Sequence, residues 1–68
     1  QAWAIFVEQP AGGYRVRMRS KYIPINEIAK RHDGGGHPLA SGANSSSPAE
    51  NDHIFQEMKE VLNDASKQ

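Results

Sequence analysis

β-Branched and aromatic residues crowd positions 2 to 8, Ala2-Trp3-Ala4-Ile5-Phe6-Val7-Glu8, and the run ends at a turn cluster, Pro10-Ala11-Gly12-Gly13. An apolar run bounded in this way predicts a strand. Both of its faces are apolar: Trp3, Ile5 and Val7 fall on one side, and Ala2, Ala4 and Phe6 on the other. Such a strand is expected to be covered on both sides or to lie next to a further domain. The next segment alternates strictly, with Tyr14, Val16 and Met18 on one face and Arg15, Arg17 and Arg19 on the other. That period of two is the mark of a half-buried strand, and the two strands make a hairpin.

The period then changes. In Ile23-Pro24-Ile25-Asn26-Glu27-Ile28-Ala29-Lys30-Arg31, Ile25, Ile28 and Ala29 stand at helical spacing, and Pro24 is tolerated near a first turn. A helix of about two turns is expected. Gly34, Gly35 and Gly36 stop it and lead into His37-Pro38-Leu39-Ala40-Ser41-Gly42-Ala43, a glycine-rich loop with a short strand, followed by a polar connector, Ser45-Ser46-Ser47. Ser47-Pro48-Ala49-Glu50 has the Ser-x-x-Glu order of a capping box with Pro at the first helical position. Beyond it Ile54, Phe55, Met58, Val61, Leu62 and Ala65 trace one apolar helical stripe, and Asn63-Asp64 is expected to begin fraying. The class is α+β: an N-terminal β-hairpin, a short helix, the glycine segment, and a C-terminal amphipathic helix packed on a small sheet.

The chain has 68 residues, enough for one small domain, and no cysteine to staple it. Its stability is therefore expected to be marginal or borrowed from a neighbour. Because the chain starts at Gln1 and its first Met is Met18, residues 1–68 read as a piece of a longer protein. No apolar run reaches the roughly 20 residues of a membrane span, and a soluble, cytoplasmic protein without membrane contact is expected. Eight Lys and Arg balance eight Asp and Glu. With zero net charge, affinity for a polyanion has to come from a local arrangement.

Two such arrangements stand out. In Asp33-Gly34-Gly35-Gly36-His37 the glycines let the backbone reach positive φ and bring N–H groups close to a ligand, as anion nests do. A helical turn starting near His37 would add its dipole, and an imidazole beside a phosphate gains by being protonated. The same glycines also suit a plain flexible connection. Arg15, Arg17 and Arg19 repel one another unless solvent or an anion faces them. Arg19-Ser20-Lys21 clusters two cations and a hydroxyl at the strand end, and Arg can grip phosphate oxygens in a bidentate fashion. His32, His37 and His53 lack the Cys and His partners of a structural zinc site, so no metal site is expected. No nucleophile with a base is visible around Ser41, so no catalytic residue is assigned.

Arg19-Ser20, then Ile25-Asn26-Glu27-Ile28-Ala29-Lys30, then Gly34-Gly35-Gly36-His37-Pro38-Leu39-Ala40-Ser41-Gly42-Ala43 resemble the DHH-associated C-terminal domain of the DHH phosphoesterase family. The branch most similar trims very short RNA and removes the 3′-phosphate of adenosine 3′,5′-bisphosphate. The resemblance implies a single substrate-binding domain over residues 1–68. Arg19, Ser20, Gly35, Gly36 and His37 would bind substrate, either a short RNA or a nucleotide bisphosphate. It also implies an N-terminal catalytic domain, absent here, carrying manganese, whereas this piece holds no cofactor and is inactive alone. Asp33 departs from the pattern, since many relatives have a fourth glycine there. Two other readings remain at this stage: an RNA-binding module of the alanyl-tRNA synthetase type without hydrolysis, and a homodimer formed through the apolar first strand.

Overall fold

The computed structural model describes residues 2–66, and side chains for residues 2–64. Ala2–Glu8 (β1) and Tyr14–Ser20 (β2) form the expected antiparallel hairpin. Its turn is closed by the Gln9 N–H on the Gly13 carbonyl and the Gly12 N–H on the Gln9 carbonyl, both 2.9 Å. Gly12 and Gly13 take φ of 104° and 76°, a backbone region that side chains disfavour. The short helix is Asn26–Arg31 (α1), shorter than the pattern suggests because Pro24 and Ile25 lie ahead of its first turn. Gly35–His37 (β3) and Ala40–Ser45 (β4) follow, and Pro48–Ser66 (α2) completes the chain.

The strands make one antiparallel sheet in the order β1-β2-β4-β3, so β1 and β3 are its edges. Strand alternation divides this sheet into two unlike faces. On one face Val16, Met18 and Ala43 are buried with Ile25, Ile28 and Ala29 from α1 and Ile54 and Met58 from α2, while Ala2, Ala4, Phe6 and Val61 pack around them. The other face receives no helix from the described residues. Trp3, Ile5 and Val7 stand there 49%, 53% and 45% exposed, so of the two apolar faces of β1 only the Ala2-Ala4-Phe6 side is covered.

The glycine stretch is more ordered than a loop. Gly35–His37 pairs with β4 in the register Gly35↔Gly42, Gly36↔Ser41 and His37↔Ala40. No helical turn begins at His37. Pro38 and Leu39 form a strand-to-strand turn whose carbonyls accept the N–H groups of Ile25 and Ser20 at 2.8 and 3.0 Å, and this leaves no helix dipole at that point. Positive φ occurs at Asp33 (58°) and Gly36 (139°) within this run.

Helix α2 starts at its predicted cap: the Ser47 hydroxyl accepts the Glu50 N–H at 3.1 Å. The reciprocal half of the box is displaced by one residue, since the Glu50 carboxylate takes the N–H and hydroxyl of Ser46 at 2.8 and 2.9 Å. The helix continues past Asn63 to Ser66. Phe55, placed in the apolar stripe by sequence, is 56% exposed beneath Lys59 Nζ, because Ile54 and Met58 already fill the line of contact with the sheet. Ala65, also assigned to that stripe, has a side chain outside the described residues.

Candidate functional site on the open sheet face

The registers of β2, β4 and β3 place three rows of side chains across the open face. The first is Trp3, Arg19, Ala40 and His37; the second is Ile5, Arg17, Gly42 and Gly35; the third is Val7, Arg15 and Asn44. Arg19 and His37 therefore flank Ala40, with their backbones about 10 Å apart, two strand spacings. Between them the floor is nearly free of side chains. A Cβ on Gly35 would meet nothing within 4 Å, and one on Gly42 would meet only the Val16 carbonyl oxygen at 3.6 Å. The result is a shallow groove, with the arginine ladder on one bank and His37 on the other.

Local hydrogen bonds fix both banks. The Ser20 N–H on the Leu39 carbonyl ties the end of β2 to the β3–β4 turn, and the Ser41 hydroxyl donates to the His37 carbonyl at 2.7 Å. The Leu39 N–H donates to His37 Nδ1 at 3.1 Å. With Nδ1 accepting from the turn, Nε2 is left as the ring's outward donor. Arg19 Nη1 donates to the Met18 carbonyl at 3.0 Å. Among the described residues no carboxylate forms an ion pair with Arg15, Arg17 or Arg19. The groove is therefore cationic without internal neutralisation.

The five sequence-assigned residues do not share one surface. Arg19, Gly35 and His37 belong to the open face. Ser20 is turned to the covered side, 8% exposed, where its hydroxyl accepts the Ile23 N–H at 2.9 Å and shapes the exit from β2. Gly36 alternates to the same side, and a Cβ there would sit 3.0 Å from the Ala40 carbonyl oxygen. As an edge strand, β3 also turns part of its backbone N–H groups away from β4, a setting suited to an anion. Gly34 serves packing, because a Cβ would fall onto the Gly42 carbonyl oxygen and the Ala43 Cα. Asp33 takes a φ of 58°, a backbone region that glycine enters without strain.

Another concavity, lined by Gly12, Gly13, Asp33, Asn44, Ser45, Ser46 and Glu50, opens near the β1–β2 turn. It holds two carboxylates and no cation, which makes it unsuited to phosphate.

One cluster escaped the sequence reading. His32, at the end of α1, has a side chain only 10% exposed, with Nδ1 2.8 Å from Glu50 Oε2 and Nε2 3.0 Å from Glu57 Oε2. Two carboxylate neighbours require both ring nitrogens to donate, so His32 is an imidazolium. Burial alone would lower its pKa, but the hydrogen bonds and charges of Glu50 and Glu57 outweigh it and the value lies above 6.5. The Glu50 carboxyl is lowered to about 2, first by the bond from His32 and then by the N–H and hydroxyl of Ser46. Arg31 adds Nε and Nη2 contacts to Glu57 Oε1 at 3.3 and 3.1 Å. The available signal was the seven-residue spacing of Glu50 and Glu57, which puts both on one helix face. Among the described residues no group of three or more His, Cys, Asp or Glu is arranged to hold a metal ion, and no helix is long and apolar enough to cross a membrane.

A family model for the DHHA1 domain matches residues 1–64. The chain belongs to the DHHA1 domain family. This DHHA1 domain is 71% identical over 62 residues to a Streptococcus mutans protein described as a probable bifunctional oligoribonuclease and PAP phosphatase NrnA, covering 91% of the chain and 20% of that protein. It is 48% identical over 59 residues to the bifunctional oligoribonuclease and PAP phosphatase NrnA of Bacillus subtilis, covering 87% and 18%. A Mycoplasma pneumoniae protein of the same description is 46% identical over 41 residues, 60% of the chain and 13% of that protein. The chain thus spans about a fifth of the length of the first two of these relatives.

Proposed function

We propose that this DHHA1 domain is the substrate-holding part of a larger hydrolase that acts on short oligoribonucleotides and on adenosine 3′,5′-bisphosphate. The observation that carries the reading is the open-face row Arg19–Ala40–His37, a cationic groove with a floor of small residues and no carboxylate paired to its arginines. The names of the relatives, oligoribonuclease and PAP phosphatase, supply the substrate class. Both substrates present a phosphate.

In this reading a substrate phosphate enters between the banks. Arg19 turns from the Met18 carbonyl to give it a charge-assisted contact, and His37 Nε2–H donates from the other side. The outward N–H groups of β3 add neutral donors at the edge, with Gly36 allowing the close approach to β4. Ser20 acts one step removed, by holding the exit of β2 against the turn that carries His37. This domain would orient one end of the substrate, so that binding energy becomes positioning. Hydrolysis would fall to a catalytic domain elsewhere in the parent protein, where manganese would activate water. A groove three rows deep suits one or two phosphates, whereas a long RNA needs an extended channel.

The test is kinetic and uses the full-length parent protein with a dinucleotide substrate. Arg19→Ala should lower kcat/KM about thirtyfold, the loss of roughly 2 kcal/mol in a charge-assisted contact. Arg15→Ala and Arg17→Ala should lower it far less, with effects that fade as salt rises. Equal, salt-sensitive losses at all three positions would mean a diffuse basic face instead of a site at Arg19.

A further inference from the structure

We infer that His32, held between Glu50 and Glu57, is a positioning residue for the open-face groove, setting where β3 leaves α1 and hence how far His37 stands from Arg19. The inference rests on the phosphate-binding reading of that groove. Its geometry is independent of it.

His32 sits three residues before Gly35, at the junction between α1 and the glycine strand. Its carbonyl accepts the Asn44 N–H at 2.9 Å, and the Asp33 carbonyl accepts Asn44 Nδ2 at 2.9 Å, so the junction is stitched to β4. Its ring is stitched to α2 at two points one helical heptad apart. Glu50 extends the clamp to Ser46, the residue after β4, and Arg31 braces Glu57 from α1. One side chain thereby joins both helices and the strand beside β3. Facing the ring are the carboxylates Glu50 and Glu57 from α2, with Arg31 of α1 behind Glu57; β4 meets the junction with Asn44, which is neutral.

Loss of the proton removes one of the two ring donors and leaves a carboxylate oxygen facing a bare nitrogen lone pair. That repulsion releases the ring from α2. The strand it leads into is three residues long, lies at the sheet edge and pairs with β4 alone among the described residues, so a shift at the junction enters it directly. Substrate binding is therefore expected to weaken as His32 loses its proton.

The experiment uses the full-length protein with 15N-labelled histidine and glycine, followed by NMR across pH 5.5 to 9, beside KM and kcat for a dinucleotide at about the same pH values. The Gly34, Gly35 and Gly36 amides should shift with the midpoint of the His32 ring. KM should rise about three- to tenfold through that midpoint while kcat changes less. Glu57→Gln should lower both midpoints together, and His32→Gln should flatten the KM profile without loss of the folded spectrum. Glycine amides that ignore the His32 midpoint, or a ring midpoint moved by Glu57→Gln while KM stays in place, would overturn the inference; the Glu57 variant decides the matter even if His32→Gln does not fold. The two readings fail separately. A thirtyfold loss in Arg19→Ala with KM indifferent to the His32 midpoint sinks the positioning role alone, whereas an unaltered Arg19→Ala sinks the phosphate reading while the amide titration still reports on the clamp.

Discussion

At the scale of single residues, the groove depends on a few donors whose directions are set by backbone contacts. His37 shows this most clearly, because the Leu39 N–H on Nδ1 selects the tautomer that points Nε2–H outward. If that donor reaches a phosphate, His37→Ala should cost about tenfold or more in kcat/KM, and His37→Gln, which keeps an N–H near the same place, should recover part of it. An alanine variant as active as the wild type would reduce His37 to a turn residue. The roles proposed for Arg19 and His37 could be suspected from residue type and position. Their pairing across Ala40 could not, because it depends on a register that only the assembled sheet defines. Ser20 carries the opposite lesson: its neighbour in sequence faces the groove, but strand alternation turns Ser20 to the core.

Among the elements, the hairpin and the start of α2 were readable because local signals agree there: alternation in β2, a glycine turn, and a capping serine. The glycine strand was less readable, since three glycines carry no alternation and a turn or loop explains them equally well. What makes them a strand is close approach. Gly34 lies against the Gly42 carbonyl, and a side chain there would force β3 from β4. Gly34→Ala should therefore destabilise the domain by about 2 kcal/mol or more, whereas Gly42→Val, entering open space on the groove floor, should leave the fold intact. The valine should instead raise KM, and calorimetry beside kinetics separates the two effects. A Gly42→Val protein with normal KM would show that substrate does not use the floor.

The His32 clamp was invisible for a different reason: its partners lie 18 and 25 residues away on another helix. It predicts a pH window. Because the His32 pKa is raised above 6.5, its contribution is complete below 6.5 and declines as pH rises through the raised value. Because the Glu50 carboxyl is lowered to about 2 from 4.5, its share is complete above 4.5 and is lost as pH falls toward 2. Hydrogen-exchange protection of α1 and β3 amides, corrected for intrinsic rates, should peak between 4.5 and 6.5. Flat protection across that range and on to pH 9 or so would contradict the clamp.

For the whole molecule, the two faces of the sheet divide the labour. One face meets both helices and makes the core. The other keeps Trp3, Ile5 and Val7 exposed beside the arginine ladder, so the apolar first strand is half covered within the described residues. Zero net charge is compatible with a cationic groove because acidic residues are spent on the helical side, at Glu27, Glu50 and Glu57, where they pair with Lys30, His32 and Arg31. The groove's charge is thus produced by segregation across the sheet, which composition cannot reveal.

The central claim is that phosphate is held on this open face between Arg19 and His37. It is tested most directly by titrating adenosine 3′,5′-bisphosphate into the full-length protein, with metal withheld to prevent turnover, and following backbone amide shifts. Shifts concentrated at Arg19, Gly35, Gly36, His37 and Ala40, and abolished by Arg19→Ala, are the predicted result. Shifts confined to the concavity around Gly12, Gly13 and Asn44, or saturable binding that leaves the Arg19 and His37 amides unmoved, would contradict it.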